Sequence, residues 1–273
     1  METLRRNTTS ARVLSVRRGS SSERIDHLAG EEPMEIRAGV LGEPVERVAV
    51  TMRTPGSDFE LAVGFLFTEG TIGSDDVLQV SYCDDLEAEQ AYNVVTVRLR
   101  RPITAPSERN FYTTSSCGIC GKAALDQVEV ACTPVDTKLT VDGALITALP
   151  SRLRRSQKLF EKTGGLHAAG LFTADGAVVA VREDIGRHNA VDKVVGQMLL
   201  ERRLPLSDRL LMVSGRASFE IVQKAAVAGL PFVCAVSAPS NLAVDAAERL
   251  GLTLIGFVRD DGFNVYSHPE RVR

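Results

Sequence analysis

The stretch AVVAVREDIGRHNAVDKVVGQMLL, residues 177–200, carries the pattern that decides the fold. Its first five residues are small or β-branched, which favours a buried strand, and from Ile185 onward apolar residues recur at helical spacing. On either side of this stretch, short apolar runs alternate with amphipathic segments in the same way. Such alternation is typical of a mainly parallel sheet with helices on both faces. The sequence therefore predicts a three-layer α/β domain over residues 139–273.

The first part of the chain has a different pattern. VERVAVTMRT (45–54) and YNVVTVRLR (92–100) are rich in β-branched residues, and DFELAVGFLFTEG (58–70) has helical spacing, with Ser57 or Asp58 as its cap and Gly70 at its end. Residues 32–110 are therefore predicted to form a smaller N-terminal α+β lobe. Before them, residues 1–31 are rich in Arg and Ser and are expected to be a disordered basic tail. Residues 111–138 are expected to be an exposed loop and connector.

Composition excludes several classes of protein. The 273 residues include 32 Lys and Arg against 35 Asp and Glu, so the net charge of −3 provides no field for binding nucleic acid. The longest uncharged stretch, 225–244, is interrupted by Pro231 and Pro239, so no membrane-spanning helix is expected. Five cysteines, two of them in one Cys-x-x-Cys, do not suit a secreted disulfide framework. A reducing, cytoplasmic location is expected.

The Cys-x-x-Cys pair lies in CGICGK, residues 117–122, which has the composition of an exposed loop. Its glycines allow backbone amides to approach a sulfur atom, and Lys122 adds positive charge. Both features favour the thiolate, so Cys117 or Cys120 is predicted to be nucleophilic near neutral pH. A thiolate on a loop is suited to carrying a persulfide between two proteins.

Other interpretations of the pair stay open on the residues alone. A thioredoxin-like redox pair normally follows a strand, whereas Thr and Ser precede this one. A structural zinc site needs two more ligands, which Cys132 with Cys83 or His167 would supply. A deaminase-type zinc site needs a Glu two residues after its His, but Ala169 occupies that position after His167.

Three polar loops follow predicted strands of the second half, at 182–189, 214–218 and 237–241. Carboxyl ends of strands and amino ends of helices favour anions, so these loops predict a nucleotide-like ligand. The candidate contacts are Arg187, His188, Asn189, Ser214, Arg216 and Ser237. The basic cluster SRLRRSQK (151–158) is either a solvated helix face or a contact for a phosphate. A fourth segment, Phe257–Gly262, is either a plain hairpin turn or a place where an aromatic ring and an acidic pair contact a guanine.

Five motifs together resemble one family, the formate dehydrogenase accessory sulfurtransferases or FdhD family. They are TTSSCGICGK, REDIGRHNAVDKVVG, SGRASFEIVQKAAVAG, SAPSNLAV and GFVRDDGFNVYSHPERVR. The resemblance spans about Glu32 to Arg273 and is specific, because several unrelated motifs occur in the same order.

The resemblance implies a cytoplasmic sulfurtransferase, expected to be a homodimer, with a cytidine-deaminase-like core that lacks deaminase chemistry and a resident metal. A cysteine desulfurase would load a persulfide on Cys117, with Cys120 assisting. The sulfur would pass to Mo-bis(molybdopterin guanine dinucleotide) before that cofactor enters formate dehydrogenase, and GDP-like nucleotides would mimic the cofactor. The cofactor would dock along the Arg182, Arg216 and Phe257 loops, and the family's cofactor-binding segment corresponds to Phe257, Val258, Arg259, Asp260, Asp261 and Gly262. The alternative is a guanine-nucleotide or cofactor chaperone whose cysteines hold zinc or form a disulfide.

Overall fold

A computed structural model describes residues 7–83, 91–103 and 134–273. These residues form three sheets, with twelve strands in all, and six α-helices. None of the helices in these ranges has the length and apolar character needed to cross a membrane.

Within the predicted disordered tail, residues 8–29 instead form a hairpin. Strands β1 (Thr8–Arg17) and β2 (Ser20–Ala29) pair antiparallel over their whole length. Arg18 and Gly19 join them, with φ values of 48° and 84°. Two consecutive residues at positive φ are what a type I′ hairpin turn requires. The prediction of a disordered tail was wrong, because Arg is an unusual first residue for this turn and the sequence therefore carries no recognisable hairpin signal.

A four-stranded sheet and one helix form the predicted N-terminal α+β lobe. Its elements are β3 (Glu32–Val40), β4 (Glu46–Arg53), α1 (Asp58–Thr68), β5 (Val77–Tyr82) and β6 (Val94–Leu99), and the strand order is β4-β3-β6-β5. Alternate residues of β3, such as Met34 and Ile36, are fully buried and pack in one core with Leu61 and Leu66 of α1. This period of two is the sign of a half-buried strand.

The second domain is a six-stranded sheet in the order β12-β11-β10-β9-β7-β8. Its strands are β7 (His167–Thr173), β8 (Val178–Asp184), β9 (Arg209–Val213), β10 (Phe232–Ala235), β11 (Thr253–Arg259) and β12 (Gly262–Val265). Its helices are α2 (Gly143–Arg155), α3 (Lys158–Thr163), α4 (Arg187–Leu200), α5 (Phe219–Val227) and α6 (Asn241–Leu250).

Helices cover both faces of this sheet, so the predicted three-layer α/β fold is confirmed. On one face, α2 buries Ile146 and Leu149 against Met212. On the other face, α4, α5 and α6 share a second core that includes Val194 and Ile221. The sheet is mixed. Strands β8, β9, β10 and β11 run in one direction, whereas β7 and β12 run in the opposite direction, because tight turns join β7 to β8 and β11 to β12.

The two lobes meet where α1 crosses α4, and the crossing depends on two glycines. A Cβ atom at Gly64 would lie 1.9 Å from the carbonyl oxygen of Asp192, and one at Gly196 would lie 1.8 Å from the carbonyl oxygen of Glu60. Real Cβ atoms do not approach oxygen so closely. The backbones of α1 and α4 are therefore in direct contact, and no larger residue fits at either position.

A buried ionic cluster next to this crossing ties α1, α4 and α5 together. The ammonium group of Lys224 donates hydrogen bonds to Thr68 (2.9 Å), Glu69 (2.9 Å) and Asp192 (3.1 Å). Burial opposes charge on Lys224, but Asp192 and Glu69 outweigh it and raise the pKa of the ammonium. Burial raises the pKa of Asp192, and Lys224 opposes that rise. Each charge in this cluster is stabilised chiefly by its partners.

Replacing Gly196 with Ala is expected to lower the free energy of unfolding by about 2–3 kcal/mol, because the new methyl group forces the two helices apart. Urea denaturation measures the change. Gly143→Ala is the matched control, since its Cβ would meet nothing closer than 3.4 Å. If both variants unfold at the same urea concentration, α1 and α4 are not in backbone contact.

Lys224→Met is expected to cost about 3–5 kcal/mol of stability, because it leaves the buried carboxylate of Asp192 without its cation. The double variant with Asp192→Asn removes that charge as well and is expected to lose less than the sum of the two single variants. A double-mutant cycle from urea denaturation gives the coupling energy. Simple additivity would show that the two charges do not interact.

Candidate functional site

The carboxyl ends of four strands lie at one edge of the six-stranded sheet. β8, β9, β10 and β11 all end there, and β7 begins there because it runs antiparallel to β8 and β9. His167, the first residue of β7, is thus paired with Asp184, the last residue of β8. This carboxyl edge, from Phe257 through Ser237 and Ser214 to His167, is the place where a doubly wound sheet binds ligands.

Backbone hydrogen bonds join three of the predicted segments along this edge. The amide of Ser237 donates to the carbonyl of Gly215 (3.2 Å), and the amide of Phe257 donates to the carbonyl of Ser237 (3.2 Å). Ser214, beside them, is half-buried, and its hydroxyl accepts from the amide of Ala168 (2.9 Å). The structure therefore brings the second, third and fourth predicted segments into one continuous surface.

Two arginines, Arg187 and Arg216, lie at this edge. Arg187 is the first residue of α4, and its buried Nε atom has no hydrogen-bond partner among the described residues. Arg216 is exposed. The pKa of His167 is held below its ordinary value by burial and by the charges of Arg187 and Arg216, while Asp184 opposes them. Because the N-cap of α4 is Gly186, no capping side chain competes for the helix amides, and the arrangement favours an anion.

His188 faces α5. Its Nε2 atom lies 3.2 Å from the hydroxyl of Ser218 and 3.7 Å from the carboxylate of Glu220. Burial, together with the charges of Lys224 and Arg187, lowers the pKa of His188 to about 4. The imidazole is therefore neutral at physiological pH and acts as a hydrogen-bonding group between α4 and α5.

Two side chains of the first loop, the predicted contact Asn189 and its neighbour Arg182, form hydrogen bonds with the N-terminal lobe. The amide nitrogen of Asn189 donates to the carbonyl of Met52 (2.7 Å) and to Asp184 (3.0 Å). The guanidinium of Arg182 forms two hydrogen bonds with Glu60 of α1, at 2.6 and 2.8 Å. The side chain of Arg182 therefore holds the two lobes together, and docking of the cofactor along its loop stays a prediction.

The fourth segment is both a hairpin turn and an exposed aromatic site. Asp260 and Asp261 form the two-residue turn between β11 and β12, and Arg259 donates to the carbonyl of Val236. Val258 is fully buried, so its side chain packs in the core rather than facing solvent. Phe257 has a φ of 53° and is 43% exposed. An exposed aromatic residue in this strained conformation suits a functional contact.

A cavity of about 540 Å³ opens beside the edge, between the strand ends and the helices α2 and α3. Arg154, Gln157, Phe160, His167, Ser214 and Val236 are among its lining residues. The guanidinium of Arg154 lies over the ring of Phe160, 4.0 Å from its centroid. The sequence analysis did not single out Phe160, and its only indication for Arg154 and Gln157 was the basic cluster at 151–158.

The motif cysteines Cys117 and Cys120, with Lys122 and Cys132, lie outside the described residues. Two other cysteines are described. Cys234 is fully buried in β10, and burial raises the pKa of its thiol to about 12. Cys83 follows β5, with its sulfur 3.9 Å from the guanidinium of Arg37.

Within the described ranges, no group of three or more His, Cys, Asp and Glu side chains is placed to hold a metal ion. The two described candidates for a zinc site, Cys83 and His167, belong to different lobes: Cys83 follows a strand of the four-stranded sheet, and His167 begins a strand of the six-stranded sheet.

Known proteins that are similar to this chain align with it over nearly its whole length. It is 50% identical to the sulfur carrier protein FdhD of Mycolicibacterium paratuberculosis, with 97% of this chain and 98% of that protein covered. It is 51% identical to the sulfur carrier protein FdhD of Streptomyces avermitilis, with 98% and 96% covered.

A crystal structure from Desulfotalea psychrophila, described as a candidate formate dehydrogenase accessory protein, superimposes with a TM-score of 0.77 at 25% identity. The match covers 98% of this chain and all of that one. The family model of the FdhD/NarQ family matches residues 29–273. With nine-tenths of its residues inside that match, the chain belongs to the FdhD/NarQ family.

Proposed function

We propose that this protein is a sulfur carrier, which receives a sulfane sulfur on Cys117 and passes it to the molybdenum cofactor of formate dehydrogenase. The observation that carries the proposal is 50% identity to a curated sulfur carrier protein over 97% of the chain. The Cys-x-x-Cys of residues 117–120 supplies a sulfur nucleophile in the sequence. The carboxyl edge supplies a surface for the recipient cofactor.

The loading step is an exchange of sulfur without net oxidation. The thiolate of Cys117 attacks the terminal sulfur of the persulfide on a cysteine desulfurase. The bond between that terminal sulfur and the desulfurase cysteine breaks, and the desulfurase cysteine leaves as a thiolate. Cys117 then carries the persulfide, and Cys120 assists its release. A reducing cytoplasm suits this chemistry because the thiols stay free.

The recipient is Mo-bis(molybdopterin guanine dinucleotide), which we treat as the substrate of the transfer. Arg187, Arg216 and the amino end of α4 attract its phosphates, because cations and free amides favour anions. The exposed ring of Phe257 offers a face for stacking a guanine. The edge and the adjoining cavity of about 540 Å³ together provide the room for such a ligand.

Incubation with cysteine desulfurase and cysteine is expected to add one sulfur, about 32 Da, to Cys117, as mass spectrometry of the intact protein and its peptides detects. Cys117→Ala abolishes the adduct, and Cys120→Ala lowers the later transfer to the cofactor. Cys83→Ser is the matched control and loads normally, because Cys83 lies outside the motif.

An adduct that persists in Cys117→Ala contradicts the proposal. Stoichiometric zinc on Cys117 and Cys120 would instead favour the cofactor chaperone, since coordinated sulfur cannot carry a persulfide.

Arg216→Gln and Phe257→Ala are each expected to weaken GDP binding about tenfold, because they remove a charged contact or a stacking face. Isothermal titration calorimetry at one fixed salt concentration measures the affinity. Arg47→Gln, an exposed arginine of β4 on the other lobe, is the control. Equal affinities for all four proteins would move the nucleotide site away from the carboxyl edge.

A further inference from the structure

We propose that a groove at the seam of the two lobes is the docking site for the sulfur-donor protein, and that it receives an apolar side chain flanked by carboxylates. This inference rests on the proposed sulfur-carrier function. The groove is formed by β5 and the carboxyl end of α4, with a volume of about 730 Å³. Its lining includes Phe59, Leu78, Arg100, Leu199, Leu200 and Arg202.

The groove has an apolar floor with exposed apolar side chains at its sides. Phe59 is half-buried and Leu199 is buried in the core of the N-terminal lobe. Leu78 and Leu200 remain 43% and 42% exposed. Large apolar residues that cluster in a concave surface indicate a binding site, whereas isolated ones do not. An apolar anchor from another protein would remove these side chains from water.

The charges at the groove define the partner's chemistry. Arg100 and Arg202 are both exposed, and neither forms an ion pair within 4.0 Å with a residue that the structure describes. Asp75 is the carboxylate among the lining residues. Two guanidinium groups against one carboxylate leave a positive excess, so the complementary surface carries Asp or Glu.

Arg202 also has an unusual backbone conformation. It follows Glu201, the C-cap of α4, and has a φ of 56°. Glycine is the residue that this left-handed position normally selects, because a Cβ is unfavourable there. An arginine in a strained backbone conformation at the rim of a groove indicates that its side chain has a role in binding.

The position of the groove explains why the donor, and not the recipient, binds there. Arg100 lies three residues before Ile103, where the described chain stops and the segment that carries Cys117 begins. A protein bound in the groove is therefore close to Ile103, the last described residue before that segment. The carboxyl edge is at the other end of α4, whose 14 residues span about 21 Å. Donor and cofactor therefore occupy separate surfaces.

The test compares two sulfur donors, one that needs docking and one that does not. The initial rate of sulfur loading on Cys117 is measured by mass spectrometry against the concentration of purified cysteine desulfurase, with cysteine in excess. The same proteins are also loaded with sodium tetrasulfide, from which the Cys117 thiolate takes one sulfur and leaves trisulfide. The variants are Arg202→Gly and Arg100→Glu, with Arg47→Glu as the charge-matched control at the opposite edge of the four-stranded sheet.

Arg202→Gly and Arg100→Glu are expected to raise the desulfurase concentration for half-maximal rate at least about fivefold, while the maximal rate and tetrasulfide loading stay within about twofold. Arg202→Gly removes the guanidinium and relieves the left-handed strain, so it does not unfold the protein. Arg47→Glu leaves both reactions unchanged.

Desulfurase loading that is unaffected by Arg202→Gly and Arg100→Glu overturns the docking site, and so does an equal loss with both donors. If wild-type Cys117 accepts sulfur from neither donor, the proposed function fails instead.

Discussion

Backbone contact between α1 and α4 is the constraint on which the rest of the structure depends. Gly64 and Gly196 let each helix reach the carbonyl oxygens of the other, with no space for a Cβ atom on either side. Contact at this distance fixes both the separation and the rotation of the helices. The neighbouring polar groups are consequently held at hydrogen-bonding distance, as in the three bonds that Lys224 donates. Two glycines therefore allow the two lobes to pack backbone against backbone at this crossing.

Helix α4 connects the features that matter for function. It begins at the carboxyl edge, where Arg187 and Gly186 favour an anion, and it ends at the groove lined by Leu200 and Arg202. Between these ends, Asn189, Asp192 and Gly196 bind the N-terminal lobe. In the function proposed above, a carrier meets a donor and a recipient, and a helix with a different surface at each end keeps the two proposed sites about 21 Å apart.

Much of the fold and part of the site are predictable from local patterns. The three layers follow from the alternation of apolar strands and amphipathic helices, and the segments that meet at Ser214, Ser237 and Phe257 follow from their position after strands. The β1–β2 hairpin is missed because Arg18 stands where turn statistics favour Asn, Asp or Gly. The extent of parallel pairing is overestimated, because a strand has the same apolar pattern whether a tight turn or a crossover helix connects it to its neighbour.

The amino-acid sequence by itself determined the α/β class, the presence of a Cys-x-x-Cys and the resemblance to the FdhD family, because periodicity and motif order are properties of neighbouring residues. Only the tertiary structure decided which polar residues are available to a ligand. Arg182 and Arg216 look equivalent in the chain, yet Glu60 engages Arg182 from another lobe while Arg216 stays exposed. Glu60 lies 122 positions before Arg182 in the sequence, so only folding brings these two side chains together.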